Sequence, residues 1–202
     1  MNRLNKWLVG IAAALVLSAC TTYSSIETGS RKEVGDMSVQ VVGNWAAINA
    51  SVVPLGGADA MWTVDGISLN RLMFFGGVEA GEPLQKTGND ENDSKLPTFR
   101  IGMTENGVME LVETTFAKSK GVARSVASNL RPRPFLGRQG FAFEVDIVNE
   151  EQIEVRVLVA GTTVGKKLYL IYFGAPKLHF FDKEVPTVNA IIDSARLSGP
   201  EA

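Results

Sequence analysis

From Phe141 to Val159 apolar residues recur at every second position. Phe141, Phe143, Val145 and Ile147 alternate with Ala142, Glu144, Asp146 and Val148. After an Asn149-Glu150-Glu151 turn, Ile153, Val155, Val157 and Val159 alternate with Glu154, Arg156 and Leu158. A period of two sends successive side chains to opposite faces of a strand, so the pattern predicts a β-hairpin. The next run, Lys167 to Phe173, is apolar on both faces and predicts a central strand covered on both sides.

Such a strand needs covering layers, and two helical patterns supply them. Thr104 to Ser119 carries Val108, Val112 and Phe116 at i, i+4 and i+8, with Leu111 and Thr115 beside them and Thr104 placed to cap. Lys183 to Ala195 buries Val185, Val188, Ile191, Ile192 and Ala195, and tolerates Pro186 because it falls in the first turn. The expected fold is α+β, an antiparallel sheet of about six strands with helices packed on it.

The other segments are read more coarsely. Val39, Val41 and Val42 indicate a first strand, with a Gly43-Asn44 turn before Trp45. Ala46 to Ala60 contains Pro54 and Gly56-Gly57 and reads as irregular. Ile67 to Phe75 is a strand stopped by Gly76-Gly77, and Gly81 to Pro97 is a long polar connection. A short strand is expected at Thr98 to Gly102. Another, Val122 to Asn129, leads into Arg131-Pro132-Arg133-Pro134, where consecutive X-Pro bonds favour extended backbone.

The amino terminus has the form of an export signal. Arg3 and Lys6 precede an apolar run from Trp7 to Ala19, about thirteen residues where a bilayer span needs about 20. The run ends in Leu17-Ser18-Ala19-Cys20, and Cys20 is the single cysteine. An unpaired thiol in an oxidising compartment is a liability that lipidation removes. This tetrapeptide resembles a bacterial lipobox. The resemblance implies cleavage between Ala19 and Cys20, a diacylglycerol on the Cys20 thiol, and a further acyl chain such as palmitate on its amine. Thr21, where an aspartate would mark inner-membrane retention, implies outer-membrane sorting with the domain facing the periplasm. The resulting division is a signal peptide at 1–19, a lipidated amino terminus and flexible tether at 20–36, and a single domain at 37–197. Without a second cysteine, the fold must stand on its hydrophobic core.

The later elements also resemble the PsbP-like fold family, which includes the nuclear Mog proteins and some envelope lipoproteins. The resemblance spans residues 98–197. It lies in a helix, a Phe135-Leu136-Gly137 … Gly140-Phe141 segment, a hairpin, Leu168-Tyr169-Leu170-Ile171-Tyr172-Phe173, and Ile191-Ile192-Asp193-Ser194-Ala195. Residues 46–60 depart from the family pattern. Members are mostly non-enzymatic binding or assembly proteins, and the resemblance implies a similar role.

Few residues point to chemistry. His179 is the single histidine, among Leu178, Phe180 and Phe181, and reads as a packed or surface residue rather than a triad member or zinc ligand. Asp90, Glu91 and Asp93 lack the glycine and the distal glutamate of a calcium loop and read as a solvated tip. Trp45 and Trp62 read as core, with a groove lining as the alternative. Charge is more informative. The chain has 20 Lys+Arg against 22 Asp+Glu, and removing Arg3 and Lys6 leaves 18 against 22, a balance that argues against nucleic-acid binding. Yet Lys118, Lys120, Arg124, Arg131, Arg133 and Arg138 lie between Glu113 and Glu144 with no acidic residue among them. They are a candidate basic patch for lipid phosphates, lipopolysaccharide, a peptidoglycan carboxylate or an acidic partner, the alternative being that strand alternation scatters them over a solvated face. No catalytic residue, metal or cofactor is expected. The expected function is a lipid-anchored, non-catalytic binding or assembly module with an envelope protein or glycan partner. The alternatives are a carrier of a small apolar ligand or lipid, and a carboxylate-based hydrolase of envelope glycan.

Overall fold

The structure, a computed structural model, describes residues 22–86, 88 and 90–198. The signal peptide, Ala19, Cys20 and Thr21 lie outside the described residues. In chain order the strands are β1 (Tyr23–Ser25), β2 (Arg31–Val34), β3 (Met37–Gln40), β4 (Ala46–Ile48), β5 (Ala60–Thr63) and β6 (Arg71–Val78), then β7 (Val122–Pro132), β8 (Phe141–Asn149), β9 (Glu154–Val164), β10 (Lys167–Pro176) and β11 (Arg196–Leu197). The helices are α1 (Asp90–Asp93), α2 (Glu105–Ala117) and α3 (Asp182–Asp193).

Eight strands form one antiparallel sheet in the order β1-β4-β5-β6-β10-β9-β8-β7, and β11-β3-β2 form a small second sheet. The expected sheet of about six strands is therefore too small. The hairpin β8–β9 and the strand β10 form where the alternation places them. β10 lies between β6 and β9, pairing Leu170 with Phe75 on one side and with Gly161 on the other. Leu168, Leu170 and Tyr172 join the core under α2, and Tyr169, Ile171 and Phe173 join the core under α3 and the small sheet. The result is three layers.

Packing decides where propensity is weak. Thr104 caps α2 by accepting the Gly107 N–H at 3.3 Å. Gly107 costs the helix about 1 kcal/mol relative to alanine. Burial of Val108, Leu111 and Val112 against the sheet contributes about 1.5–3 kcal/mol each and outweighs it.

Three expectations are corrected. Residues 22–36 are not a loose tether, since they form β1 and β2, Ile26 and Val34 are buried, and the Ile26 N–H donates to Trp45 O at 2.9 Å. Two apolar anchors are enough to order a stretch whose composition is polar. Thr98 to Gly102 is not a strand; Thr98 makes only an isolated bridge with Pro83. Finally, Gly76-Gly77 does not end β6, which continues to Val78 through a bulge at Gly77, φ 129°.

These glycines instead let the β2–β3 turn lie on β6. The Asp36 N–H donates to Gly76 O at 2.6 Å, and the Gly76 N–H donates to Asp59 Oδ2 at 2.6 Å. A Cβ at Gly76 would collide with the Val34 carbonyl oxygen and stand 2.9 Å from Gly35 Cα. Backbone on both sides leaves nothing flexible to yield. Gly76→Ala is therefore expected to destabilise by about 2 kcal/mol or more. Gly107→Ala meets only ordinary contacts at 3.7 Å and is expected to stabilise by about 0.5–1 kcal/mol. Urea midpoints of the two variants should move in opposite directions, and equal shifts would refute this account.

Candidate functional site

The alternation that buries Phe143 and Val145 beneath α2 turns Glu144 and Asp146 to the opposite face of the sheet. The β8–β9 register sets Arg156 opposite Asp146. Arg156 Nε donates to Asp146 Oδ1 at 2.7 Å and Nη2 donates to Oδ2 at 2.9 Å, a two-pronged pair. Glu144 lies 3.6 Å from both Arg156 and Arg131. Lys177 reaches Asp146 at 3.4 Å and Glu154 at 3.6 Å. The Arg156 guanidinium also sits 5.9 Å from the Phe181 ring centroid.

This network sets the local proton affinities. The Arg156 hydrogen bonds hold the Asp146 carboxyl below its ordinary value, with Lys177 adding to the effect. Asp146 in turn raises Arg156. On the other face the Tyr172 hydroxyl is fully buried without a hydrogen-bond partner, and burial pushes its pKa well up, so it stays neutral. Arg156 and Lys177 belong to no local charge run or motif in the sequence. A register counted from the Asn149-Glu150-Glu151 turn was the signal for Arg156.

The six basic residues do not converge on one spot. Lys118 follows the end of α2 and donates to Lys95 O at 2.9 Å. Arg133 is tied to α3, donating to Asn189 Oδ1 and to Asp193 Oδ1 at 2.7 Å each. Arg131 pairs with Glu144, and its Nη1 donates to Asn129 O at 2.9 Å. Lys120, Arg124 and Arg138 are exposed and form no ion pair among the described residues. What the six share is place along the chain: the two ends and the length of β7.

Trp45 and Trp62 are core residues. Trp45 Nε1 donates to Val42 O at 2.8 Å and its ring meets Phe173 edge-on; Trp62 lies 4.5 Å from the Phe74 ring. His179 is exposed, edge-on to Phe180 at 5.2 Å. It takes φ 74°, ψ −47°, a strained turn that leaves Leu178 87 % exposed. Asp90–Asp93 forms the one-turn α1, and no group of His, Cys, Asp or Glu suited to a metal occurs among the described residues. An open groove of about 420 Å³ runs along α2, edged by Arg100 and Glu110 with Leu96, Met103 and Leu111 beneath.

The three-layer arrangement is PsbP-like. The chain is similar to cyanobacterial PsbP (CyanoP) from Synechocystis sp. PCC 6803, whose solution structure superposes with a TM-score of 0.56 at 14% identity, over 90% of this chain and 98% of that one. No family model matches the chain, and no curated protein matches it.

An aspartate held below its unfolded pKa, about 3.9, stabilises the fold above that value and loses this contribution as pH falls through the folded pKa. In a carbon-13 titration, the Asp146 carboxyl is expected to titrate below an ordinary aspartate and to rise in Arg156→Gln. The stability difference between the two proteins should narrow below about pH 3.9. An unmoved Asp146 midpoint in the variant would contradict the pairing.

Proposed function

We propose that the protein is a lipid-anchored, non-catalytic binding or assembly module of the cell envelope, held in the outer membrane through Cys20 and facing the periplasm. The observation that carries the reading is the lipobox-like Leu17-Ser18-Ala19-Cys20 directly ahead of a folded domain. Because β1 begins at Tyr23, at most about 10 Å of chain separates it from Cys20. The lipid would hold the β1 end of the sheet against the bilayer, with no slack for the domain to range.

A carboxylate-based glycosidase needs an acid with a raised pKa, and Asp146 is shifted the other way. A carrier would need an enclosed apolar cavity, whereas the α2 groove is open and edged by Arg100 and Glu110. The fold adds support by analogy alone.

Cys20→Ala should move the protein from the membrane fraction to the soluble fraction without altering the melting temperature of the domain. Metabolic labelling with an alkyne fatty acid should mark the wild type and leave Cys20→Ala blank. Equal labelling of both, or retention of the variant in the membrane, would overturn the anchor.

A further inference from the structure

β7 ends the eight-stranded sheet and, among the described residues, pairs with β8 on one side only. The ladder identifies which of its groups are free to pair. The Asn149 N–H donates to Ile153 O at 3.2 Å and the Glu150 N–H to Gly121 O at 3.1 Å, so the main chain of residue 149 turns toward β9 and that of residue 150 toward the start of β7. Alternation then commits Glu144, Asp146 and Val148 to bonds with β7, where they face Ser128, Val126 and Arg124. The Arg133 N–H donating to Gly140 O at 3.0 Å, beside the Pro132↔Phe141 pair, agrees with this phase. The N–H and C=O groups of Ser125 and Ala127 therefore point away from the sheet.

Register shifts at Val122/Arg124 and Ser128/Arg131 bound this open stretch at residues 124–128. Arg124, Val126 and Ser128 are exposed along it, Val126 by 45 %. The flanks hold Lys120 and Arg131, and no acidic side chain occurs anywhere in the chain between Glu113 and Glu144. Bulges and basic side chains are how an edge strand avoids neutral or basic partners. An acidic strand is what that filter admits.

We propose that β7 receives an extended acidic segment of a partner protein as a ninth strand, paired through Ser125 and Ala127 and flanked by Lys120 and Arg124. Main-chain bonds would supply affinity and the bases would set charge selectivity. The choice of a protein over the protein's own membrane rests on the anchoring reading above. Seven strand spacings of about 4.8 Å put β7 up to about 34 Å across the sheet from β1, at its opposite edge. A second copy is disfavoured because two edges carrying only bases would meet.

The test uses the full chain in detergent micelles and two synthetic peptides, one alternating glutamate with valine and one alternating lysine with valine. The glutamate peptide should slow amide exchange at Ser125 and Ala127, and the lysine peptide should not. Binding should weaken about tenfold or more in Lys120→Glu/Arg124→Glu. Ala127→Pro should abolish it while leaving β8 exchange intact, since the Ala127 N–H is not used in the β7–β8 ladder. A glutamate peptide N-methylated on alternate residues tests strand pairing without altering the protein, and it should not bind. Equal binding of the methylated or lysine peptide, or protection of residues 125 and 127 by phosphatidylglycerol vesicles instead, would overturn the proposal. Peptide binding in micelles is independent of lipidation. Loss of binding with intact acyl labelling therefore refutes the edge site alone, and loss of labelling with intact binding refutes the anchor alone.

Discussion

β10 has apolar side chains on both faces, and a strand of that kind is unstable wherever either face meets water. Leu168, Leu170 and Tyr172 require one cover, and Tyr169, Ile171 and Phe173 require another. α2 supplies the first. α3 and the small sheet supply the second, through Val188, Ile191, Val39 and Val41. Chain order follows from this demand. β8, β9 and β10 join by short turns and lie side by side, and the segments that must reach across the sheet, α2 before β7 and α3 after β10, become the lids. With no cysteine available for a disulfide among the described residues, this double burial carries the stability.

Legibility in the sequence followed the strength of periodicity. The β8–β9 hairpin, β10, α2 and α3 were readable because a period of two or 3.6 persisted over many residues. β1 and β2 were not, because three or four residues with one apolar side chain hold no period. Ile26 and Val34 become core only through partners far along the chain, such as Trp45 and Phe74. Gly76-Gly77 resembles a terminator because glycine often ends a strand. What decided the matter was the close approach of the Val34-Gly35-Asp36 turn, a long-range contact that local sequence does not encode. The candidate site divides in the same way. The run of bases was visible as a run. That Arg133 is consumed in docking α3 and Arg131 is shared with Glu144 required the register.

Charge on this domain does two separable jobs. Arg156, Asp146, Lys177 and Glu144 satisfy one another over the half-covered face of β8 and β9. Partly exposed pairs of this kind contribute on the order of 1 kcal/mol or less, so they fix geometry more than they stabilise. Arg156 shows the effect: held by Asp146 and laid toward Phe181, it links β9 to the turn that leads into α3. Lys120, Arg124 and Arg138 stand outside this network and form no ion pair among the described residues.

The sheet also relates the two ends of the molecule. Under the anchoring proposed above, a lipid on Cys20 would hold the β1 edge near the bilayer, and the even spacing of strands would set how far across the sheet β7 lies from it. A flexible tether would have blurred that distance by the square root of its length. Folding residues 22–36 into the domain removes the blur. The two edges are unlike: β1 is short, and β7 is long, carries Arg124 and Arg131 and lies up to about 34 Å across the sheet from it. Anchored as proposed, a protein with unlike edges would have a direction, and a periplasmic partner would meet β7 first.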